Sequence, residues 1–130
     1  MDLLVNNDII KLERFDNIII MTWKIDLDNI DQVKQMVDLR LKVTQEDPYL
    51  FLVNIKNVKK ISKEVRDFLA SEKGAERVIA AAIITGSMIT AIFANFFLKV
   101  NKPAVITKLF AEEDEAIKWL KTQNKDKIAT

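Results

Sequence analysis

The sequence predicts one α/β domain with a mostly parallel sheet, and two features of its apolar pattern lead to this class. The uncharged stretch Val78–Leu98 is long enough to span a membrane, but Thr85-Gly86-Ser87 in its middle is a turn and helix-cap signal. We therefore divide the stretch into a buried strand followed by a buried helix. Elsewhere short β-rich runs alternate with segments of helical spacing, which is typical of strand–helix–strand units.

The first two β-rich runs are Asp8–Arg14 and Asn17–Trp23. Only Phe15-Asp16 separates them, and so short a connection predicts an antiparallel hairpin. In the second run both faces are largely apolar, with Ile18, Ile20 and Thr22 on one and Ile19, Met21 and Trp23 on the other. We expect this strand to be covered on both sides.

A first helix is predicted from Asn29 to Thr44. Asp28 is a good N-cap residue, and Asp31 follows three positions later as in a capping box. The expected inward stripe is Ile30, Val33, Val37, Leu41 and Thr44, while Asp31, Gln35, Asp38 and Lys42 face water. Pro48 disfavours helical geometry at the residue before it and so ends the helix.

The remaining elements alternate between strand and helix. They are strand Tyr49–Ile55, a helix capped by Ser62 and running to about Ser71, strand Val78–Thr85, helix Met88–Val100, strand Ala104–Phe110 and helix Glu112–Gln123. The predicted order is β-β-α-β-α-β-α-β-α, a five-stranded sheet with helices packed on both faces through right-handed crossovers. All of residues 1–130 form one domain, with a core from about 8 to 123 and a polar tail, 124–130, that we expect to fray.

Composition excludes several classes of function. The 130 residues include 20 basic and 19 acidic side chains, a net charge of +1, so no nucleic-acid partner is indicated. Without His or Cys, the usual zinc sites and the Ser–His and Cys–His nucleophile pairs cannot form. Gly74 and Gly86 are too far apart for a phosphate-binding loop. We expect no catalytic residue, no metal and no cofactor.

Two further features bear on chemistry and location. The acidic group Glu112–Glu115 lies where a helix begins, and negative charge there is favoured by the helix dipole. We interpret it as a helix start rather than a metal or acid–base site. The N-terminal MDLLVNND lacks a basic leader region, and the absence of cysteine suits a reducing compartment. A soluble, cytoplasmic protein without a membrane span is therefore expected.

Three segments carry a resemblance to a known family: VNIKNVKKIS (Val53–Ser62), ANFFLKVNKP (Ala94–Pro103) and DEAIKWL (Asp114–Leu120). With the order of elements, they resemble the STAS domain, in its SpoIIAA-like (STAS/Sec14-like) variant, found as small stand-alone bacterial proteins of unassigned function. The resemblance covers about Ile9 to Leu120. It implies the SpoIIAA-like α/β fold.

The resemblance also locates a candidate loop for a partner or ligand, and it shows a departure. STAS antagonists of anti-sigma factors carry V-D-L and then D-S-S-G, in which one serine is phosphorylated. Here V-D-L falls on Val53-Asn54-Ile55 and D-S-S-G on Ser62-Lys63-Glu64-Val65, so Lys63 and Glu64 occupy the serine positions. The candidate loop residues are Asn54, Lys60, Ser62, Lys63 and Glu64. We interpret Ser62 as a helix cap rather than a phosphorylation site.

Two functions follow as hypotheses. The first is a non-enzymatic interaction or regulatory module that binds a protein partner or a second copy. The helix Met88–Val100 has an inward stripe of Ile89, Ile92, Phe93, Phe96 and Val100, and its surplus apolar side chains suggest a homodimer surface at Thr90, Ala94 and Phe97. Packing of Phe97 against a neighbouring element is an equal alternative. The second hypothesis is a protein that binds a small apolar, lipid-like ligand.

Overall fold

A computed structural model describes residues 1–86, 91, 92, 94, 95, 99 and 103–129, with residues 124–129 described by their backbone alone. The strands are β1 Asp2–Asn6, β2 Ile10–Phe15, β3 Ile18–Trp23, β4 Tyr49–Asn54, β5 Val78–Ile84 and β6 Thr107–Phe110. The helices with defined bounds are α1 Ile30–Val43, α2 Lys63–Ala70 and α3 Glu113–Ala129.

The six strands form one sheet in the order β1-β2-β3-β4-β5-β6. The β2–β3 hairpin is antiparallel, as predicted, and β3 to β6 are parallel to one another. The prediction of five strands was wrong, because β1 adds an antiparallel strand beside β2. This edge strand has no clear apolar alternation, since Leu3 is 59% exposed while Leu4 and Val5 are half-buried.

The sheet has helices on both faces, as predicted. The prediction that the right-handed crossovers place them there was wrong. Strands β3 to β6 follow one another in space as in sequence, so right-handed connections between them lie on one face. The α1/α2 face, as we call it, packs these two helices against β2, β3 and β4 through Ile10, Leu12, Ile19, Met21, Trp23 and Phe51. The α3 face packs the last helix against β3, β4 and β5 through Ile18, Ile20, Leu50, Leu52, Ala80 and Ala82. The prediction that β3 is covered on both sides is confirmed.

The helix ends differ in detail from the predicted ones. Asn29, not Asp28, caps α1, because its side-chain oxygen accepts a hydrogen bond from the Gln32 backbone N–H at 3.2 Å. Helix α3 continues to Ala129, past its predicted end at about Gln123. The last strand begins at Thr107 rather than Ala104.

The segment between β5 and β6 is described only in part. Of the predicted self-association surface, Thr90 and Phe97 lie outside the described residues. Ala94 is helical and only 2% exposed, packed on the α1/α2 face, so its assignment to an exposed surface was wrong. Ile92, predicted to point inward, is 60% exposed. Among the described residues, no helix is both long and apolar enough to cross a membrane.

Candidate functional site

An apolar cavity of about 120 Å³ lies on the α1/α2 face of the sheet. Its floor is formed by three neighbouring parallel strands, through Met21 and Trp23 of β3, Phe51 and Val53 of β4, and Ala81 and Ile83 of β5. Its walls come from the helices and from the chain that leads to β6, including Val37, Leu69, Ala94 and Pro103. Apart from Arg40, Thr107 and Gly74, every described residue that lines the cavity is apolar.

Within the part of the chain that the structure describes, β5 is less completely buried on this face than on the α3 face. On the α3 face, Ala80 and Ala82 are fully buried and Ile84 is 1% exposed. On the cavity face of the same strand, Ala81 and Ile83 stay half-buried although β5 lies between β4 and β6 inside the sheet. Protein interiors are normally packed at crystal-like density, so the small Ala81 side chain leaves a space that the chain's own described residues do not fill.

Arg40 is the one charged side chain among the described lining residues. It lies near the end of α1 and is only 3% exposed. Its Nη1 donates to the Glu76 carbonyl at 2.5 Å and its Nη2 donates to the Gly74 carbonyl at 3.3 Å, while the guanidinium lies over the Phe51 ring at 5.0 Å. Burial lowers the pKa of Arg40 to about 10, and the nearby Glu76 carboxylate partly opposes this shift. The side chain is therefore charged at neutral pH and held in one orientation.

Sequence reasoning missed Arg40, although the helix carried a signal for it. The predicted stripe is confirmed at its centre, where Val33, Val37 and Leu41 are buried. Arg40 lies three positions after Val37 and four after the buried Met36, so it shares their face of the helix. An arginine at an inward position of an amphipathic helix indicates a buried charge with a specific task.

The candidate loop lies beside the cavity, at the carboxyl end of β4. Its neighbours Ile55 and Ile61 line the cavity, but its own polar groups serve local structure. The Asn54 side chain accepts from the Lys56 backbone N–H at 2.9 Å, and the Lys60 carbonyl accepts from the Leu27 N–H at 2.8 Å.

The rest of the loop forms the start of α2. Lys63 is exposed and pairs with Asp67 at 2.8 Å, and Glu64 is an exposed acid in the first helical turn. The five candidate residues thus lie at the end of β4, in the loop that follows it and at the start of α2. Whether they bind a partner or ligand stays a prediction.

Ser62 is confirmed as the N-cap of α2, since its Oγ accepts from the Val65 N–H at 3.2 Å. We expect Ser62→Ala to lower the free energy of unfolding by about 1 kcal/mol, and Ser62→Asp to leave it nearly unchanged because aspartate caps as well as serine. Urea denaturation of both variants measures this. A stable Ser62→Asp protein that loses a partner bound by the wild type would instead support a phosphorylation switch.

The acidic group at residues 112–115 has the structural role that was predicted for it. Glu113, Asp114 and Glu115 form the first turn of α3, where the helix dipole favours negative charge. Within the part of the chain that the structure describes, no group of three or more carboxylates is arranged to hold a metal ion.

Comparisons with known proteins support the fold and extend to most of the chain. A family model described as a domain of unknown function, DUF7793, matches residues 10–124. The crystal structure of an uncharacterized protein of the DUF3478 family from Shewanella loihica PV-4, described as having a SpoIIAA-like fold, superposes with a TM-score of 0.56. The two sequences are 18% identical, over 85% of this chain and 91% of the other.

A search of curated proteins finds no match. The structural likeness shows the fold alone, and the predicted SpoIIAA-like, STAS-like α/β fold is confirmed.

Proposed function

The chain belongs to the DUF7793 family, and we propose that it is a non-enzymatic binding protein whose cavity holds one small apolar ligand. The observation that carries the proposal is the uneven burial of β5. Ala80 and Ala82 are sealed beneath α3, whereas Ala81 faces an apolar space of about 120 Å³. Apolar cavities accept apolar molecules, and because this cavity is partly open to solvent, a ligand longer than the cavity can extend beyond it.

The energetics of filling an apolar cavity support this proposal. Side chains around an empty space lose dispersion contacts, which lowers the stability of the folded chain. A ligand that fills the space recovers those contacts and removes its own apolar surface from water. Because such a ligand binds the folded state alone, it also raises the free energy of unfolding as its concentration rises.

Trp23 offers a direct probe of occupancy, since it lines the cavity and is 2% exposed. The second tryptophan, Trp119, packs against Phe110 on the α3 face. In a Trp119→Phe background the emission therefore reports on the cavity alone. We expect ω-bromooctanol, a neutral chain with a heavy-atom quencher at its end, to quench Trp23 in a saturable way.

Filling the cavity should abolish this binding. Ala81→Phe places an aromatic ring where the ligand would lie, and we expect saturable quenching of Trp23 to disappear while the fold is kept. Ile79→Phe is the matched control, because Ile79 is half-buried against the α3 face, and it should bind as the wild type does. Circular dichroism checks the fold of both variants. Equal quenching in Ala81→Phe and wild type would contradict the assignment of the ligand to this cavity.

A second candidate function is an interaction or regulatory module that forms a homodimer or binds a protein partner. The observation that favours it is Ile92, a large apolar side chain that is 60% exposed on the helical segment after β5. Exposed apolar groups of this kind are typical of association surfaces when they belong to a larger patch. Both candidates are proposed to act in the cytoplasm, which suits a chain without cysteine.

Sedimentation tests the homodimer. We expect the wild type to sediment as a dimer and Ile92→Asp as a folded monomer, because a charge on an exposed position costs little in the free chain. Ile106→Asp is the control, since Ile106 is similarly exposed, at 57%, but precedes β6. A wild type that remains monomeric at high concentration would remove the homodimer from this candidate.

A further inference from the structure

The cavity contains a charge that an apolar ligand alone does not explain. Arg40 lines it and is 3% exposed, yet no carboxylate of the described residues lies within ion-pair distance of its guanidinium. The Glu76 side chain pairs instead with Lys73 at 3.1 Å. The Glu76 carboxylate still attracts Arg40 from a greater distance, but a buried cation with no carboxylate in direct contact is costly, and proteins normally place an anion beside it.

Within the described part of the chain, the guanidinium has more N–H groups than hydrogen bonds. Arginine carries five N–H groups, and in the described structure Arg40 donates two hydrogen bonds, both to backbone carbonyls. These bonds and the Phe51 ring fix the plane of the group at the cavity wall. A fixed guanidinium plane is preorganised for a carboxylate, whose two oxygens match its fork of N–H groups.

The remaining lining of the cavity determines which chemical group can lie beside the one that pairs with Arg40. Its floor runs from Phe51 of β4 to Ile55, the residue after that strand, which is about 13 Å at roughly 3.3 Å per residue. Arg40 lies near the Phe51 end, against the loop that contains Gly74 and Glu76. The remaining described lining is apolar except for Thr107, whose hydroxyl donates to the Val105 carbonyl at 2.9 Å. The site thus offers one cationic end and an apolar length.

We infer that the ligand is an amphipathic monocarboxylate of the fatty-acid class, whose head group pairs with Arg40 and whose alkyl chain occupies the apolar floor. This inference rests on the proposed function and names the class of ligand for the same cavity. The carboxylate supplies the direct ion pair that Arg40 does not make with a described residue, and the chain fills the space beside Ala81.

A matched pair of probes distinguishes failure of this inference from failure of the proposed function. ω-Bromooctanoate and ω-bromooctanol differ only at the head group, and both quench Trp23 in the Trp119→Phe protein when bound. We expect the carboxylate to bind at least about tenfold more tightly than the alcohol, the ratio that one charge-assisted hydrogen bond provides. In Arg40→Met this preference should vanish while alcohol binding is kept. Lys42→Met, which removes an exposed cation of the same helix, should keep the preference.

Each other outcome is decisive. Equal affinity of the wild type for the two probes would overturn the inference and leave the proposed function standing. Binding of neither probe would overturn both. A preserved preference in Arg40→Met would show that Arg40 is not the head-group partner. The wild-type comparison needs no variant, so it decides the question even if Arg40→Met fails to fold.

Discussion

Leu120→Ala should lower the free energy of unfolding by about 2–5 kcal/mol, the cost of truncating a fully buried leucine. Leu120 is 0% exposed and joins α3 to the sheet beside Ala80, Ala82 and Ala116. Alanine side chains are too small to move into the space that the truncation leaves. The loss of unfolding free energy is therefore expected in the upper part of that range. Urea denaturation followed by circular dichroism measures the change.

The matched control is the same truncation at an exposed site. Leu3 of β1 is 59% exposed, so Leu3→Ala should change stability by no more than about 0.5 kcal/mol. A loss at Leu120 as small as that at Leu3 would contradict the packing of α3 on the sheet.

Gly74→Ala is expected to destabilise the fold by about 1–3 kcal/mol, because its methyl group has no room. A Cβ at Gly74 would collide with the Phe68 carbonyl oxygen and lie 2.9 Å from Leu69 Cα, and backbone atoms cannot turn aside as a side chain can. The shift would also displace the Gly74 carbonyl from Arg40. We therefore expect weaker binding of ω-bromooctanoate as well as a lower urea midpoint.

The other glycine provides the comparison. A Cβ at Gly86 would meet Lys56 Cβ and Cγ at 2.7 Å, atoms of a long exposed side chain, although Lys56 Cα is also close at 3.0 Å. We expect Gly86→Ala to cost less than Gly74→Ala. The reverse order of stabilities would show that the segment after α2 does not pack as described.

The spacing of apolar residues in the sequence predicted those elements whose burial follows a regular pattern. The double apolar alternation of β3 indicated a strand buried on both faces, and Ser62 was identified as a cap because serine, helix start and spacing all agree at that position. The sequence did not predict the edge strand β1. Its pairing with β2 buries Leu4 and Val5 only in part, so it shows no clear apolar alternation. An edge strand is specified mainly by its neighbour rather than by its own pattern.

The cavity could not be predicted from the sequence, and the reason lies in β5. Ala80, Ala81 and Ala82 are chemically identical, yet two of them are sealed under α3 and the third borders an open space. The difference depends on which side chains of other elements reach each alanine, and the periodicity of β5 does not encode those contacts. The burial of Arg40 could have been predicted from helical spacing, because Arg40 lies on the same inward face of α1 as Met36 and Val37.

The most direct test of the account is to locate the ligand in the protein. Crystals grown with ω-bromooctanol, measured near the bromine absorption edge, reveal the position of the halogen by its anomalous signal. We expect one bromine on the α1/α2 face, within the cavity bounded by Trp23, Phe51 and Ala81. A cavity without bromine, or bromine bound only at the outer surface, would contradict the proposal that this domain holds an apolar ligand.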